Sequence, residues 1–161
     1  MKHEDEVKTA DILLLSNEVA EAVNAKAVDI AARYGVKCIL NPAPARENRA
    51  GITDRIYLFT PNEHELLGIE DKKNAVVTLG KKGCLIKATG EVVPAVDRGK
   101  PIDTTGAGDT FNGVLAAMLA SGEPLPRAAR IANGVSSLGV TRKYAVSSIP
   151  TRDEIREIAR Q

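Results

Sequence analysis

The chain has 161 residues, a net charge of +1, 43% hydrophobic residues and 27% charged residues, which suits a folded chain with a buried core and disfavours disorder. The near-zero charge excludes a basic footprint for nucleic acid, and no apolar run approaches the ~20 residues of a membrane span. The charged N terminus lacks the apolar segment of a secretory signal, so we expect a cytoplasmic protein. Cys38 and Cys84 lie in apolar, strand-like runs, which predicts buried free thiols rather than a disulfide or a metal pair.

The first third of the chain predicts a βαβ unit. An apolar run at residues 11–15 predicts a strand that is buried on both faces. Apolar residues at helical spacing over 19–34 predict a helix, with Gly35 placed to cap its C terminus. A second strand is predicted at 36–40, and the two prolines of residues 41–46 then block both helix and ladder pairing, which predicts a stiff loop.

The middle of the chain predicts further strands joined by a short crossover. Strands are predicted at 56–59 and 75–79, and the connector exceeds the roughly dozen residues that a parallel crossover requires. Its only helical stretch, residues 65–68, can form barely two turns and would leave part of the sheet uncovered. The runs 84–87 and 91–95 predict an antiparallel hairpin.

The last third of the chain predicts helices. One begins within residues 103–113, and another covers 127–138 with Pro126 at its first position. Thr151 and Glu154 match a capping box before a terminal helix. Alternating strands and helices, followed by a hairpin and helices, predict a single-domain α/β fold over residues 1–161 with a mostly parallel sheet flanked by helices.

Residues 103–113, DTTGAGDTFNG, carry the strongest chemical signal. Gly106 and Gly108 let the backbone turn and approach a ligand closely, while the helix that follows leaves the amides of its first turn unpaired. Asp109 lies in the same turn, where a helix N terminus favours negative charge. The pattern predicts a phosphate cradle next to a base. Taken alone, it equally suits a glycine turn with Asp109 as an ordinary helix-start acid.

Polar residues follow most of the predicted strands. They are Glu18, Asn41, residues 62–65 and residues 78–83. Because ligands of such sheets bind beyond the carboxyl ends of the strands, we expect these residues to contribute to one shared site.

Five segments occur in the order found in one known family. They are NPAPAR at 41–46, TPNEHE at 60–65, TLGKKG at 78–83, DTTGAGDTF at 103–111 and VTRK at 140–143. Together they resemble the ribokinase-like, PfkB-type carbohydrate kinases. The resemblance implies the three-layer α/β/α fold of that family in truncated form, because it covers nearly all of this chain but only the carboxyl-terminal half or so of the usual kinase.

This resemblance implies ATP-dependent phosphorylation of a sugar hydroxymethyl group, with ribose as the expected acceptor. Asp109 would take the proton of that group, and Glu18 would contact the sugar. Without the family, Glu18 is equally a polar loop residue. The amides expected to form the anion hole are those of Thr105, Gly106, Ala107 and Gly108.

The resemblance also implies contacts to ATP and magnesium. Asn62 and Glu65 match the family's Asn-x-x-Glu pattern, which helps to place magnesium and the phosphates through water. The residues that match the nucleotide loop and the adenine position are Thr78, Gly80, Gly83 and Asn133. Without the family, Asn62 to Glu65 is equally a helix cap, the glycines form an ordinary turn, and Asn133 is a helix-surface residue.

A potassium-type cation site is implied as well. Asp103, the carbonyl of Thr105, and Ser148 resemble parts of it. Tyr144 stands where the family commonly has glycine, which is a departure at that site. Arg142 suits either a helix end or the site, and the sequence leaves both open.

Missing from the resemblance are the family's amino-terminal sugar-binding strands and its lid. Because closure positions the acceptor and excludes water, two functions stay open: a partial sugar kinase, and a non-catalytic nucleotide-binding or interaction module. The strand at 11–15, without its usual neighbours, is expected to leave an apolar edge. Beside the sugar and ATP, we therefore expect a second copy of the chain or a complementing amino-terminal half as a partner.

Overall fold

The computed structural model describes residues 3–47 and 51–161. The chain divides into two units, one formed by Met1–Thr78 with Ile86–Glu91 and the other by Leu79–Leu85 with Val92–Gln161. Among the described residues, no helix combines the length and the apolar composition that crossing a bilayer requires.

The first unit contains the predicted βαβ arrangement. Its elements are α1 (Glu4–Lys8), β1 (Ile12–Ser16), α2 (Glu21–Tyr34), β2 (Lys37–Asn41), β3 (Leu58–Phe59) and β4 (Val76–Thr78). The parallel sheet has the order β1-β2-β3, with Ile12 opposite Lys37 and Ile39 opposite Leu58. Parallel bridges from Phe59 to Ala75 and from Asn62 to Thr78 extend the pairing to β4.

Helix α2 forms where the sequence predicts it. Its inward face buries Ala27, Val28 and Ala31, and Val28 and Ala31 pack in an apolar cluster with Leu40 and other residues of β2 and β3. Gly35 has a left-handed backbone, with φ of 72°, and its N–H donates to the carbonyls at the helix end, so the predicted C-cap is confirmed.

Strand β1 differs from the prediction. Burial on both faces was expected, but Leu14 in its centre is 40% exposed, whereas Ile39 and Leu40 in β2 are fully buried. The reason is its position: in the described part of the chain β1 pairs only with β2, so one edge is open. An apolar run indicates a strand, but it does not indicate how many neighbours that strand has.

The connector between β3 and β4 also differs. No helix forms at 65–68; separate turns do, closed by bonds from Glu65 N to Asn62 O (3.1 Å) and from Ile69 N to Leu66 O (3.0 Å). Gly68, with φ of 75°, ends any helical path. The segment is held instead by burial of Ile69 in the apolar cluster. The short helix α1 was not predicted; its first-turn acids and terminal Lys8 favour the helix dipole.

A second sheet has the order β4-β5-β6, with β5 at Cys84–Ile86 and β6 at Glu91–Val93. It is antiparallel, so the predicted hairpin is confirmed, with strands a little shorter than expected. Gly90 closes the turn with φ of 73° and donates its N–H to Ile86 O at 2.9 Å.

The second unit is mostly helical. Its helices are α3 (Ala107–Ala120), α4 (Leu125–Gly139), α5 (Ala145–Ser148) and α6 (Arg152–Ala159). Helix α4 begins at Leu125 behind Pro124, so Pro126 lies one position further in than predicted. The capping box of α6 is confirmed, with Glu154 N bonded to Thr151 Oγ1 at 3.4 Å and Thr151 N to Glu154 Oε2 at 2.8 Å. Helix α5 was not predicted.

Candidate functional site

The anion loop, residues 103–108, leads into α3. Gly106 precedes the helix with φ of 77°, and no side chain caps the helix start. Among the described residues, no backbone acceptor lies within hydrogen-bond distance of the amides of Gly108 and Asp109. A Cβ built on Gly108 would meet nothing within 4 Å. The helix therefore begins with unpaired donors and with room beside Gly108, a combination that suits an anion site.

Asp109 lies exposed in the first turn of α3, next to these amides. One turn further along the same helix, Asn112 is 5% exposed and its Oδ1 has no partner in the described structure. A buried acceptor of this kind calls for a donor, since leaving it unpaired is costly. The sequence analysis did not single out Asn112 because a helical asparagine has no distinctive spacing.

Asp103 holds the anion loop in shape. Its Oδ1 accepts the Thr105 N–H at 2.9 Å and its Oδ2 accepts the Tyr144 N–H at 3.0 Å. Bonds from Thr105, first from its backbone and then from its side chain, lower the pKa of the Asp103 carboxyl, and the Tyr144 backbone lowers it further. Asp103 therefore joins the start of the loop to the segment before α5.

The residues expected around potassium lie in the second unit. Ala145, at the start of α5, lies 3.5 Å from a Cβ built on Gly106, and Ser148 is buried in the same short helix with its Oγ donating to Ala145 O at 2.9 Å. Both oxygens of Asp103 already accept amides. Among the described residues, no side-chain oxygen of Asp103, Thr105 or Ser148 is buried without a partner. These side chains thus do not require a potassium ion, and the role of the Thr105 carbonyl stays a prediction.

Tyr144 has an unusual backbone. It is the one non-glycine residue in the described ranges with positive φ (66°), and ψ is 157°. This region is essentially reserved for glycine. Packing of the Tyr144 side chain offsets little of the cost of this conformation, since 72% of its surface is exposed. The observation agrees with the expectation that this position commonly holds glycine in the resembled family.

The two glycines of the expected nucleotide loop have different roles in the structure. A Cβ on Gly83, where φ is 98°, would lie 2.0 Å from Val93 O and 2.6 Å from Ala95 N. Gly83 is therefore required by the packing of the chain against itself. Gly80, with φ of 55°, has nothing within 4 Å of such a Cβ and leaves space for a ligand.

Asn133 is not a helix-surface residue, so that alternative is wrong. It is 7% exposed on α4, and its Nδ2 donates to Val93 O at 3.2 Å and to the Cys84 Sγ at 3.5 Å. These bonds tie α4 to β5 and β6. Burial and distant partners, which the sequence does not display, give Asn133 a structural role in addition to any contact with a nucleotide.

Asn62, Glu65 and Thr78 are brought together in the first unit. Glu65 accepts the Asn62 N–H at 2.9 Å and the Asn62 Nδ2 at 2.7 Å. Thr78 pairs with Asn62 through the isolated bridge, and its N–H donates to Pro61 O at 2.9 Å. Because no helix follows, the helix-cap interpretation is wrong; the pair closes a loop at the strand ends.

Three buried oxygens at the ends of neighbouring parallel strands lack a partner in the described structure. They are Asn17 Oδ1, Asn41 Oδ1 and Thr60 Oγ1. Asn41 ends β2, opposite Ser16, and the Thr60 N–H donates to Leu40 O at 3.0 Å. The sequence pattern predicts Asn41 as a polar residue after a strand, but it contains no signal that marks Asn17 or Thr60.

These oxygens fit a hydrated magnesium ion. Oxygen ligands suit magnesium, which keeps several of its waters in proteins. No group of three or more His, Cys, Asp or Glu side chains forms a cage among the described residues. Glu65 with Asn62, and the unpartnered oxygens of Asn41 and Thr60, are therefore suited to bind through water.

Glu18 lies exposed just beyond the carboxyl end of β1, where it was predicted. Its N–H donates to Ser16 Oγ at 3.3 Å. The following residue is held by the 41–46 loop, since Arg46 Nη2 donates to Val19 O at 2.9 Å. Of the predicted residues, the first unit holds Glu18, Asn41, Asn62, Glu65 and Thr78, and the second unit holds those of the anion loop, the nucleotide loop from Gly80, and helices α3 to α5.

Known proteins resemble this chain over nearly its whole length. Ribokinase from Bacillus subtilis is 34% identical over 166 residues, and the match covers 96% of this chain but 57% of that protein. Ribokinase from Haemophilus influenzae is 35% identical over 177 residues, with the same coverage of 96% and 57%. The chain thus spans under two thirds of the length of these curated relatives.

Solved structures also resemble this chain over nearly its whole length. A structure of Arabidopsis thaliana ribokinase complexed with ribose and ATP matches with a TM-score of 0.89 and 26% identity, covering 99% of this chain and 59% of that one. Thermotoga maritima ribokinase matches with a TM-score of 0.85 and 29% identity, covering 98% and 59%. The predicted ribokinase-like α/β fold is confirmed. Because the model of the pfkB family carbohydrate kinases matches residues 1–152, the chain belongs to that family.

Proposed function

We propose that this chain carries the ATP-binding and phosphoryl-transfer portion of a sugar kinase, with the hydroxymethyl group of ribose as the acceptor. One observation carries the proposal: the first turn of α3 contains the unpaired amides of Gly108 and Asp109, with open space beside Gly108 and the Asp109 carboxylate in the same turn. The relatives named ribokinase support the choice of sugar.

In this mechanism, Asp109 accepts the proton of the sugar hydroxyl. The hydroxyl oxygen of the sugar forms a bond to the terminal phosphorus of ATP, while the bond from that phosphorus to the oxygen of the leaving ADP breaks. The amides of Gly106 and Gly108 neutralise the charge on the transferred group. Those of Thr105 and Ala107, which the sequence also suggested, already donate to Asp103 Oδ1 at 2.9 Å and to Thr104 O at 3.1 Å. Phosphoryl transfer depends mainly on positioning and charge neutralisation, so these groups suffice in principle. Asp103 keeps the amides in place.

Other residues bind the substrates. Asn62 and Glu65, with Asn41 and Thr60, would hold hydrated magnesium, which neutralises phosphate charge when bound. Glu18 would bind the sugar. The residues proposed for ATP are Thr78, Gly80, Gly83 and Asn133; for Gly83 and Asn133 the contribution is to hold the loop, as their internal contacts indicate. Binding of potassium at Asp103, Thr105 and Ser148 stays a prediction. It is tested by omitting potassium from the kinase assay and measuring whether turnover falls.

A second candidate function is a non-catalytic nucleotide-binding or interaction module. It is favoured by strand β1, which in the described part of the chain pairs only with β2. The open edge of β1, with exposed Leu14 and with Val19 and Val23 also exposed nearby in sequence, suits pairing with a further strand. We propose a complementing amino-terminal segment or a second copy there. A monodisperse monomer in light scattering at micromolar concentration would contradict this.

The test is a coupled assay of the purified chain with ribose, ATP, magnesium and potassium. Asp109→Asn is compared with wild type and with Asp153→Asn, a matched control that alters an exposed acid in the first turn of α6. The proposal expects Asp109→Asn to lower turnover at least about 100-fold and Asp153→Asn to leave it unchanged. Equal rates for wild type and Asp109→Asn would refute the mechanism, and ATP binding without turnover would favour the second function.

A further inference from the structure

The segment that supports the anion loop is itself tied to the last helix. We propose that the ion pair between Arg142 and Glu154 is a positioning device for the anion loop, acting through Tyr144 and Asp103. This inference rests on the proposed function in so far as the loop binds phosphate. It concerns residues outside the set proposed above to bind nucleotide and sugar.

The first step is the contact between the loop and the segment after α4. Val140 O accepts the N–H groups of Ile102 at 2.7 Å and Asp103 at 3.2 Å. Tyr144 N–H donates to Asp103 Oδ2, and Ala145 packs against Gly106. The amide donors of the loop are therefore placed by residues 140–145, because α3 has no side-chain cap of its own.

The backbone of Tyr144 is strained. Tyr144 has a backbone conformation that a non-glycine residue keeps only when its surroundings enforce it. On its C-terminal side, the short helix α5 begins at the next residue. On its N-terminal side, Thr141 Oγ1 donates to Leu138 O at 2.7 Å and the Arg142 N–H donates to Gly139 O at 3.0 Å, which hold the segment to α4. The Arg142 side chain holds it to α6. Without the attachment to α6, we expect the segment to relax toward negative φ and the bond to Asp103 to lengthen or break.

The attachment of this segment to α6 is the ion pair between Arg142 and Glu154. Both terminal nitrogens of Arg142 bond to the Glu154 carboxylate, Nη1 to Oε2 at 3.3 Å and Nη2 to Oε1. A paired guanidinium fork holds direction as well as distance. The carboxylate also accepts Thr151 N–H at 2.8 Å, and the Arg142 bond is the first cause that lowers the pKa of Glu154 to about 2. The carboxylate is therefore ionised at neutral pH, and the capping box fixes its position at the start of α6.

The test compares amide hydrogen exchange in ligand-free wild type with that in Arg142→Ala. We expect exchange at Thr105 N–H and Tyr144 N–H to rise about tenfold relative to buried amides of α4, since both bonds lose their support. Arg142→Lys should restore part of the protection. The affinity for ATP, measured by titration calorimetry, should fall about three- to tenfold.

A control variant separates positioning from helix stability. Arg156→Ala removes an exposed ion pair with Asp153 on the same helix and leaves Arg142, Glu154 and the capping box in place. It should not change exchange at Thr105 and Tyr144 relative to α4. If it does so as strongly as Arg142→Ala, or if Arg142→Ala leaves these amides protected, the positioning role is overturned. Wild type that binds no ATP would refute the proposed function, whereas the exchange comparison would still decide this one.

Discussion

Replacing Tyr144 with glycine should stabilise the protein. Tyr144 has φ of 66° and ψ of 157°, a region that costs a non-glycine residue about 1–3 kcal/mol. Glycine removes that cost, but it raises the entropy of the unfolded chain, which offsets about 0.4–1 kcal/mol. The tyrosine side chain is 72% exposed, so little buried area is lost. The net gain is about 1 kcal/mol.

The magnitude can be measured by thermal unfolding followed by circular dichroism. For a chain of this length, 1 kcal/mol corresponds to a shift of about 2–4 °C in Tm, so Tyr144→Gly should unfold about 3 °C above wild type. Urea unfolding should show the same gain as a higher midpoint with an unchanged slope.

Tyr144→Ala is the matched control. Alanine removes the ring but keeps the Cβ, and with it the backbone strain, so its Tm should stay close to that of wild type. The reasoning is refuted if Tyr144→Gly is no more stable than Tyr144→Ala, because strain would then not be stored at this position.

Three further predictions concern the close contact at Gly83, the ion pair of Glu154 and the buried thiol of Cys38. Gly83→Ala should destabilise by about 3 kcal/mol or more, because its Cβ would overlap a carbonyl oxygen at 2.0 Å, whereas Gly80→Ala should cost about 1–2 kcal/mol; equal losses in urea unfolding would contradict the overlap. The Arg142 bond lowers the pKa of Glu154 to about 2, so the stability it contributes is present above pH ~4.5 and is lost as pH falls toward ~2. Tm should therefore fall more steeply over that range in wild type than in Glu154→Gln, and parallel curves would count against the pair. Burial raises the pKa of the Cys38 thiol to about 11, so a colorimetric thiol reagent at pH ~8 should modify it only after unfolding; immediate reaction in the native protein would show that the site is open.

Local patterns were predicted well from the sequence. The C-cap at Gly35 and the capping box of Thr151 and Glu154 involve residues within a few positions of one another, so their spacing contains the whole interaction. The glycine-rich start of α3 belongs to the same class, since unpaired amides are a property of any helix N terminus. The motif that suggested the function can thus be recognised from the sequence without knowledge of the fold.

The tertiary structure decided what depends on residues far apart in the chain. Leu14 is exposed because β1 has one strand neighbour, β2, within the described residues. Gly83 is required because Val93 and Ala95 pass against it, and Asn133 is buried because Cys84 and Val93 take up its amide. Neither the number of strand neighbours nor the close approach of two segments is recorded in local spacing. By itself the sequence determined the family motif and the helix ends, while burial, strain at Tyr144 and the links that support Asp103 follow from how the chain packs.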